Sequence, residues 1–293
     1  MRVFVTGATG YIGSAVVEDL IRAGHMVLGL ARNDVAADAL KRMRAEVHRG
    51  DLSDPKGLSL AALECDGVIH TAYNHDFSQF AAAAEMDRRV VEAFGEALSG
   101  TGMPLVIASA IGLLSPGRPT TEDDTGDPRS LGAARIPSEE LALALASENV
   151  RSNIIRLPPV VHDRTKQGLV TRMIALANQT GASAYVRGGL NRWPAVHRRD
   201  AAQLFRLALE KGASGSRYHA IAEDGIALRA IAEAVGRLAN VRAVSKTPEE
   251  AASHFGFLAY FVSADFQASS TKTKQALGWN PTGPGLIADL EPA

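Results

Sequence analysis

The sequence holds a single cysteine, Cys65, which excludes an intramolecular disulfide and a thiolate metal cluster. No metal is expected. Neither charge is in excess: 31 Lys and Arg against 32 Asp and Glu leave a formal net charge of -1. That balance gives no reason to expect nucleic acid or an anionic membrane surface as a partner. No apolar run approaches the length of a membrane span. Internal repeats and low-complexity segments are absent as well. Met1 leads directly into an apolar run, leaving no room for a signal peptide, so a soluble cytoplasmic protein is expected. What remains is ordinary globular material: 293 residues, 46% hydrophobic and 22% charged. That length buries a core unaided, as one large or two modest domains.

The informative stretch is the first thirteen residues, MRVFVTGATGYIG. Arg2 to Thr6 is short, apolar and β-branched, as a buried parallel strand would be. It runs into Gly7, Gly10 and Gly13, and an apolar helical pattern follows through Ile12, Ala15, Val16, Leu20 and Ile21. Strand, glycine turn and helix together make a dinucleotide site. Gly7 allows the tight turn, Gly10 admits a pyrophosphate to the backbone, and Gly13 lets the helix pack on the strand. Thr9, Tyr11 and Ile12 between them are expected to touch the cofactor. The next strand is predicted over Met26 to Ala31, and its tip should meet the adenosine ribose. An acid there would bind the 2′-hydroxyl of NAD. The chain instead reads Ala31-Arg32-Asn33. Arg32, with Asn33 beside it, suits a 2′-phosphate, so NADP (as NADPH) is expected and NAD is the weaker reading.

The glycine spacing in TGATGYIGS resembles that of the short-chain dehydrogenase/reductase superfamily, nearest its extended and atypical branches. Later landmarks resemble the same family along nearly the whole chain. The resemblance implies an α/β fold: a Rossmann doubly wound parallel sheet with helices on both faces, plus a smaller C-terminal substrate lobe. Residues 1–160 are expected to form the NADP-binding domain and 161–293 mainly the substrate lobe, with some segments returning. Gly50-Asp51-Leu52 is similar to the step where an aspartate meets adenine. Thr71-Ala72, followed by Tyr73, resembles the segment beside the ribose and nicotinamide. Pro158, Pro159 and Val160 resemble the turn that lines the nicotinamide through backbone groups, a stiff turn with free carbonyls. Leu277-Gly278-Trp279-Asn280-Pro281 is similar to the family's closing motif.

One landmark fails. The family's Tyr-x-x-x-Lys, in which Tyr donates the proton and Lys holds the ribose, occurs nowhere in the chain. Aligned through Ser138, Arg135 stands at the Tyr position and Glu139 at the Lys position. Glu139 is read as a helix-start residue whose charge suits the dipole. Ser109, ending the strand Leu105–Ala110, is the candidate catalytic residue. The resemblance implies that it donates a hydrogen bond to a substrate carbonyl; the alternatives are that it only ends the strand or that Ala110 falls at the family's serine position. His75, Trp193 and His197 are candidate substrate contacts. For Trp193 and His197, anchoring of the second lobe is the simpler reading.

These features point to NADPH-dependent reduction of a small-molecule ketone. With no tyrosine, a phenol or enol beside the carbonyl would assist, as in aromatic polyketide-type ketones. Water, Tyr73 or His75 are other proton sources. A non-catalytic NADP-binding sensor or scaffold is the alternative. A sugar-nucleotide epimerase would also need the tyrosine and ranks below both. The long helix Phe77 to Leu98 has an apolar stripe for the core, and its outer face suggests a homodimer.

Overall fold

Val3 and Val5 face one side of the first strand and Phe4 the other, and all three are fully buried. A strand covered on both faces requires that pattern. The computed structural model describes residues 1–74, 79–166 and 168–291. Strand and helix alternate first: β1 (Arg2–Thr6), α1 (Tyr11–Arg22), β2 (Met26–Ala31), α2 (Asp34–Arg42), β3 (Glu46–Arg49), α3 (Pro55–Leu63), β4 (Gly67–His70), α4 (Phe80–Leu98) and β5 (Pro104–Ala110). A long loop, with the two-residue β6 (Pro119–Thr120), leads to α5 (Ile136–Ala144) and β7 (Arg151–Leu157). Next come β8 (Val160–His162), α6 (Val170–Thr180), β9 (Ala182–Val186), β10 (Arg192–His197), α7 (Arg198–Lys211) and β11 (Ser216–His219). The chain ends through β12 (Glu223–Ala227), α8 (Leu228–Ala239), β13 (Arg242–Lys246), α9 (Pro248–Phe255), α10 (Ala259–Ser263), β14 (Gln267–Ala268), α11 (Thr271–Leu277) and α12 (Leu286–Leu290).

Seven strands form one parallel sheet in the order β11-β7-β5-β4-β1-β2-β3. Helices α1, α2 and α7 cover one face, where Val5, Val16, Leu20, Leu40 and Phe205 share a core. Helices α3, α4 and α5 cover the other, with Phe4, Leu58, Phe94 and Ala142. The fold is thus the doubly wound Rossmann type. Strand order reverses between β1 and β4, and ligands of such sheets bind in the crevice there, beyond the C-terminal strand ends. The outer face of α4 carries a charged ladder in which Arg88 pairs with Glu85 and Glu92. No described helix is long and apolar enough to cross a membrane.

The second lobe has its own core around Val160, Trp193, Ile231 and Phe255, under a three-stranded sheet of order β12-β10-β8. Although β11 and α7 lie late in the chain, they belong to the main sheet and its cover. The last elements tie the lobes together. Trp279 donates through Nε1 to the Asp200 carbonyl of α7 at 2.9 Å. Thr282 and Gly283 donate backbone N–H groups to the Asp200 carboxylate at 3.1 and 2.8 Å. Leu286 N–H donates to Glu223 at 2.8 Å, and His162 Nδ1 donates to Asp289 at 2.7 Å.

Candidate active site

The glycine turn separates glycines the fold needs from one it does not. Gly7 has φ +67°, and a Cβ there would lie 2.7 Å from Ala72 N. A Cβ on Gly13 would lie 2.1 Å from the Gly7 carbonyl oxygen. Both are required for α1 to cross β1 closely. A Cβ on Gly10 would meet only the Gly7 oxygen, at 3.1 Å, and Gly10 is exposed. Gly10 is also the N-cap of α1, offers no side chain to the first-turn N–H groups, and is followed by no acid in that turn. An open cradle of unengaged N–H groups at a helix start fits a pyrophosphate. Thr9 beside it is exposed, and Tyr11 and Ile12 are half-buried.

At the adenosine end, Arg32 is exposed just beyond β2. Asn33 Oδ1 accepts from Ala36 N at 2.9 Å, so its side chain caps α2. Arg49, which the sequence did not single out, is in register with Ala31 across β2 and β3 and pairs with Asp34. Two arginines therefore stand together at the C-terminal ends of β2 and β3. Asp51 accepts from Ser53 N at 2.9 Å, and that bond, with the charge of Arg32, holds its carboxyl below the ordinary range. Leu52 packs half-buried against the α3–α4 core.

At the crevice, Thr71 Oγ1 donates to the Thr6 carbonyl at 2.8 Å, and Ala72 N lies 3.4 Å from Thr6 Oγ1. The Arg135 guanidinium lies 4.2 Å over the Tyr73 ring and donates to the Ala108 carbonyl at 2.8 Å. Its Nε is buried with no hydrogen-bond partner among the described residues. Arg135 thus spans the ends of β4 and β5. Burial pushes the Tyr73 phenol up, against the pull of Arg135. Behind them, His70 bridges Thr6 Oγ1 at 2.6 Å and Asp87 at 3.2 Å, all three buried. Burial raises the Asp87 carboxyl, but His70, Arg135 and Ser138 together outweigh it and the net shift is downward. Pro158 is buried, and the Pro159 carbonyl, expected to be free, accepts from Leu169 N at 3.3 Å. Val160 lies in the second-lobe core, and His75 lies outside the described residues.

Ser109, Arg156 and His219 are register partners across β5, β7 and β11, so they share one face of the sheet. Glu139 of α5 sits on that row. This corrects the reading of Glu139 as a dipole-facing helix-start residue: it does lie in the first turn, but buried, and it is ion-paired with Arg156. Ser109 Oγ donates to Glu139 at 2.7 Å, Arg156 Nε donates at 3.2 Å, and Arg217 Nε at 3.4 Å. Burial pushes the Glu139 carboxyl up, but Arg156, Ser109 and Arg217 outweigh it and hold it below its ordinary value. Arg156 also donates to the Asp124 carbonyl at 2.7 Å and to His219 Nε2 at 3.3 Å. His219 keeps its proton on Nδ1 for the Ser269 carbonyl at 2.8 Å, and burial pushes it down to about 4. The signal for this hub was in the sequence: an arginine inside the run Ile154-Ile155-Arg156-Leu157 needs a buried counterion.

Trp193 is fully buried in the second-lobe core, where its Nε1 donates to the Phe261 carbonyl at 2.9 Å. His197 is the N-cap of α7 and packs edge-on to His162 at 5.6 Å, with burial lowering its proton affinity. Among the described residues, no group of three or more His, Cys, Asp or Glu side chains is placed to hold a metal ion.

Known proteins share this architecture. An uncharacterised protein of Schizosaccharomyces pombe is 46% identical over 99% of this chain and 98% of its own. A 4-hydroxy-2-methyl-3-oxo-4-farnesyl-3,4-dihydroquinoline-1-oxide ketoreductase of Stigmatella aurantiaca is 25% identical over 87% of this chain and 80% of its own. The structure of a dTDP-glucose 4,6-dehydratase from Streptomyces venezuelae, solved with NAD bound, superposes with a TM-score of 0.78 at 18% identity, covering 99% of this chain and 96% of that one. The model of the NAD dependent epimerase/dehydratase family matches residues 3–222, and the chain belongs to that family, within the extended short-chain dehydrogenases/reductases.

Proposed function

We propose that this protein is an NADPH-dependent reductase of a ketone that carries a hydroxyl next to its carbonyl. The observation that carries the reading is the site's asymmetry. The glycine cradle is open for a cofactor, whereas the positions of the usual proton donor and its lysine hold Arg135 and a sealed Glu139. The chain's oxidoreductase-type membership supports NAD(P) binding. When bound, the cofactor supplies the hydride.

The chain's residues would do the following. Gly10 and the first-turn N–H groups of α1 hold the pyrophosphate. Arg32, with Arg49 alongside, meets the 2′-phosphate, which favours NADP over NAD. Thr71, Ala72, Tyr73 and the Pro158–Val160 turn border the ribose and nicotinamide. A guanidinium is a charged hydrogen-bond donor rather than a general acid, so Arg135 would stabilise charge on an oxygen rather than protonate it. Ser109 gives its hydrogen to Glu139, so it would not be the donor to the substrate carbonyl that the family resemblance implied. A hydroxyl beside the carbonyl would pass its proton to the carbonyl oxygen as the hydride arrives, and the oxyanion it leaves would face Arg135 and take its proton back from water. The Stigmatella relative's name places a 4-hydroxy beside a 3-oxo group on a fused ring, which agrees with this chemistry.

The test is NADPH consumption with fused-ring and ortho-hydroxyaryl ketones, each beside its methyl ether, with isotope transfer from labelled NADPH. Turnover of the hydroxy ketone and a 10²–10⁴-fold loss in the ether is expected. NADPH binding without turnover of any member would overturn the reading and favour a sensor or scaffold.

A further inference from the structure

We propose that Lys166, from the second lobe, supplies a positive charge to the diphosphate of the dinucleotide, and that Tyr11 fixes it beside the glycine cradle. The inference rests on the dinucleotide reading of that cradle. Tyr11 is the first residue of α1, directly after Gly10. Its ring has a cation on either side: Arg198 Cζ at 4.9 Å and Lys166 Nζ at 5.4 Å from the centroid. Its hydroxyl donates to the Lys166 carbonyl at 2.8 Å, which pins the segment that carries the lysine. From the other side, Arg198 donates to the Tyr11 carbonyl at 2.5 Å and to Ser14 Oγ at 2.7 Å.

The charges do not balance at this corner. Among the described residues Asp163 is the acid that pairs with these cations, through Arg198, and it is already engaged. It accepts from Thr165 N at 2.8 Å, Thr165 Oγ1 at 2.6 Å and Lys166 N at 3.0 Å, and pairs with Arg198 at 3.3 Å. Burial raises its carboxyl, but these bonds hold it at about 2, so it is ionised at neutral pH. Arg198 is thereby neutralised. The Lys166 side chain is exposed and forms no ion pair among the described residues. The Lys166 charge is therefore held beside Tyr11, the first residue of a helix whose first turn has no acid and whose N–H groups have no side-chain cap. An anion at that helix start would face the dipole and the ammonium together. A diphosphate has the charge and the spread of oxygens to meet both.

Calorimetric titration of the full chain with ADP, 2′-AMP and NADP+ tests this without turnover. ADP carries the diphosphate, and 2′-AMP carries only the phosphate expected at Arg32. Lys166→Gln should weaken ADP and NADP+ by about three- to tenfold, leave 2′-AMP unchanged, and flatten the salt dependence of ADP binding. Lys166→Arg should restore the wild-type affinity to within about twofold. Unchanged ADP affinity in Lys166→Gln, or equal weakening of ADP and 2′-AMP, would overturn the proposal. Failure of the wild type to bind ADP and NADP+ would instead remove the dinucleotide reading, and the proposal with it.

Discussion

Glu139→Gln exchanges one carboxylate oxygen for an amide in a side chain with almost no room to move. The Arg156 guanidinium, fully buried, then keeps the Asp124 carbonyl and His219 Nε2 but loses its counterion, and Arg217 still faces it. Removing one partner of a buried pair destabilises a protein by about 3–5 kcal/mol. The glutamine oxygen still accepts one bond from Arg156, which places the expected loss near about 3 kcal/mol. Against a total of about 5–15 kcal/mol, that is a large fraction. It corresponds to a fall in Tm of about 6–12 °C at pH 7. The pH dependence follows from the depressed carboxyl. Glu139 contributes its stability above its ordinary value of 4.5 and loses it as pH falls through the lower folded value. The gap between wild type and variant should therefore narrow in acid. Urea unfolding at pH 7 and pH 4 reads this directly, and an Arg156→Met, Glu139→Gln cycle should return a coupling of about 1–3 kcal/mol. The folded fraction should keep its rate to within about tenfold, since loss of a proton donor would remove 10²–10⁴-fold. Wild-type stability with collapsed turnover would refute the reasoning and make Glu139 the acid.

Arg32→Asp should weaken NADPH binding by about tenfold or more and move preference toward NADH, as read by fluorescence titration. Gly10→Val should abolish cofactor binding while Tm changes little, because the only close neighbour of a Cβ there is the Gly7 oxygen at 3.1 Å. His219, pushed down to about 4, stabilises the fold above its ordinary value of 6.5 and loses that contribution as pH falls toward 4. His219→Gln should flatten the stability profile across that window, where the slope per group reaches about 1.4 kcal/mol per pH unit.

The glycine turn was legible because strand, turn and helix are consecutive, and their physics is local. Strands β1 and β2 were read to the residue from apolar patterning alone. Helix α3 carried no such signal, being short and starting at Pro55 inside a turn-like stretch. Strands β9, β12 and β13 were missed because half-buried edge segments lack a clean alternation. Glu139 was misread for a different reason. A carboxylate in a first helical turn is a good dipole residue whatever lies behind it, and its partners stand 17 and 78 positions away. Arg49 escaped notice because only sheet register places it beside Ala31.

The knot formed by the last elements has a consequence for how the chain is made. Asp289 reaches back 127 positions to His162, and Gly283 reaches back 83 to Asp200. While the ribosome is still adding residues, β1 through β5 can pair as they emerge, but β7 waits for its edge partner β11. The second lobe waits longer, until α12 leaves the exit tunnel. Buried carboxylates and imidazoles are exposed to solvent through that interval, and their pairing comes last. Such long-range closure is slow relative to local pairing. A premature stop before Thr282 would leave Glu223, Asp200 and His162 without the backbone and side-chain groups that complete them. The nascent protein is then a finished sheet attached to an unfinished lobe, a natural substrate for chaperones and proteases.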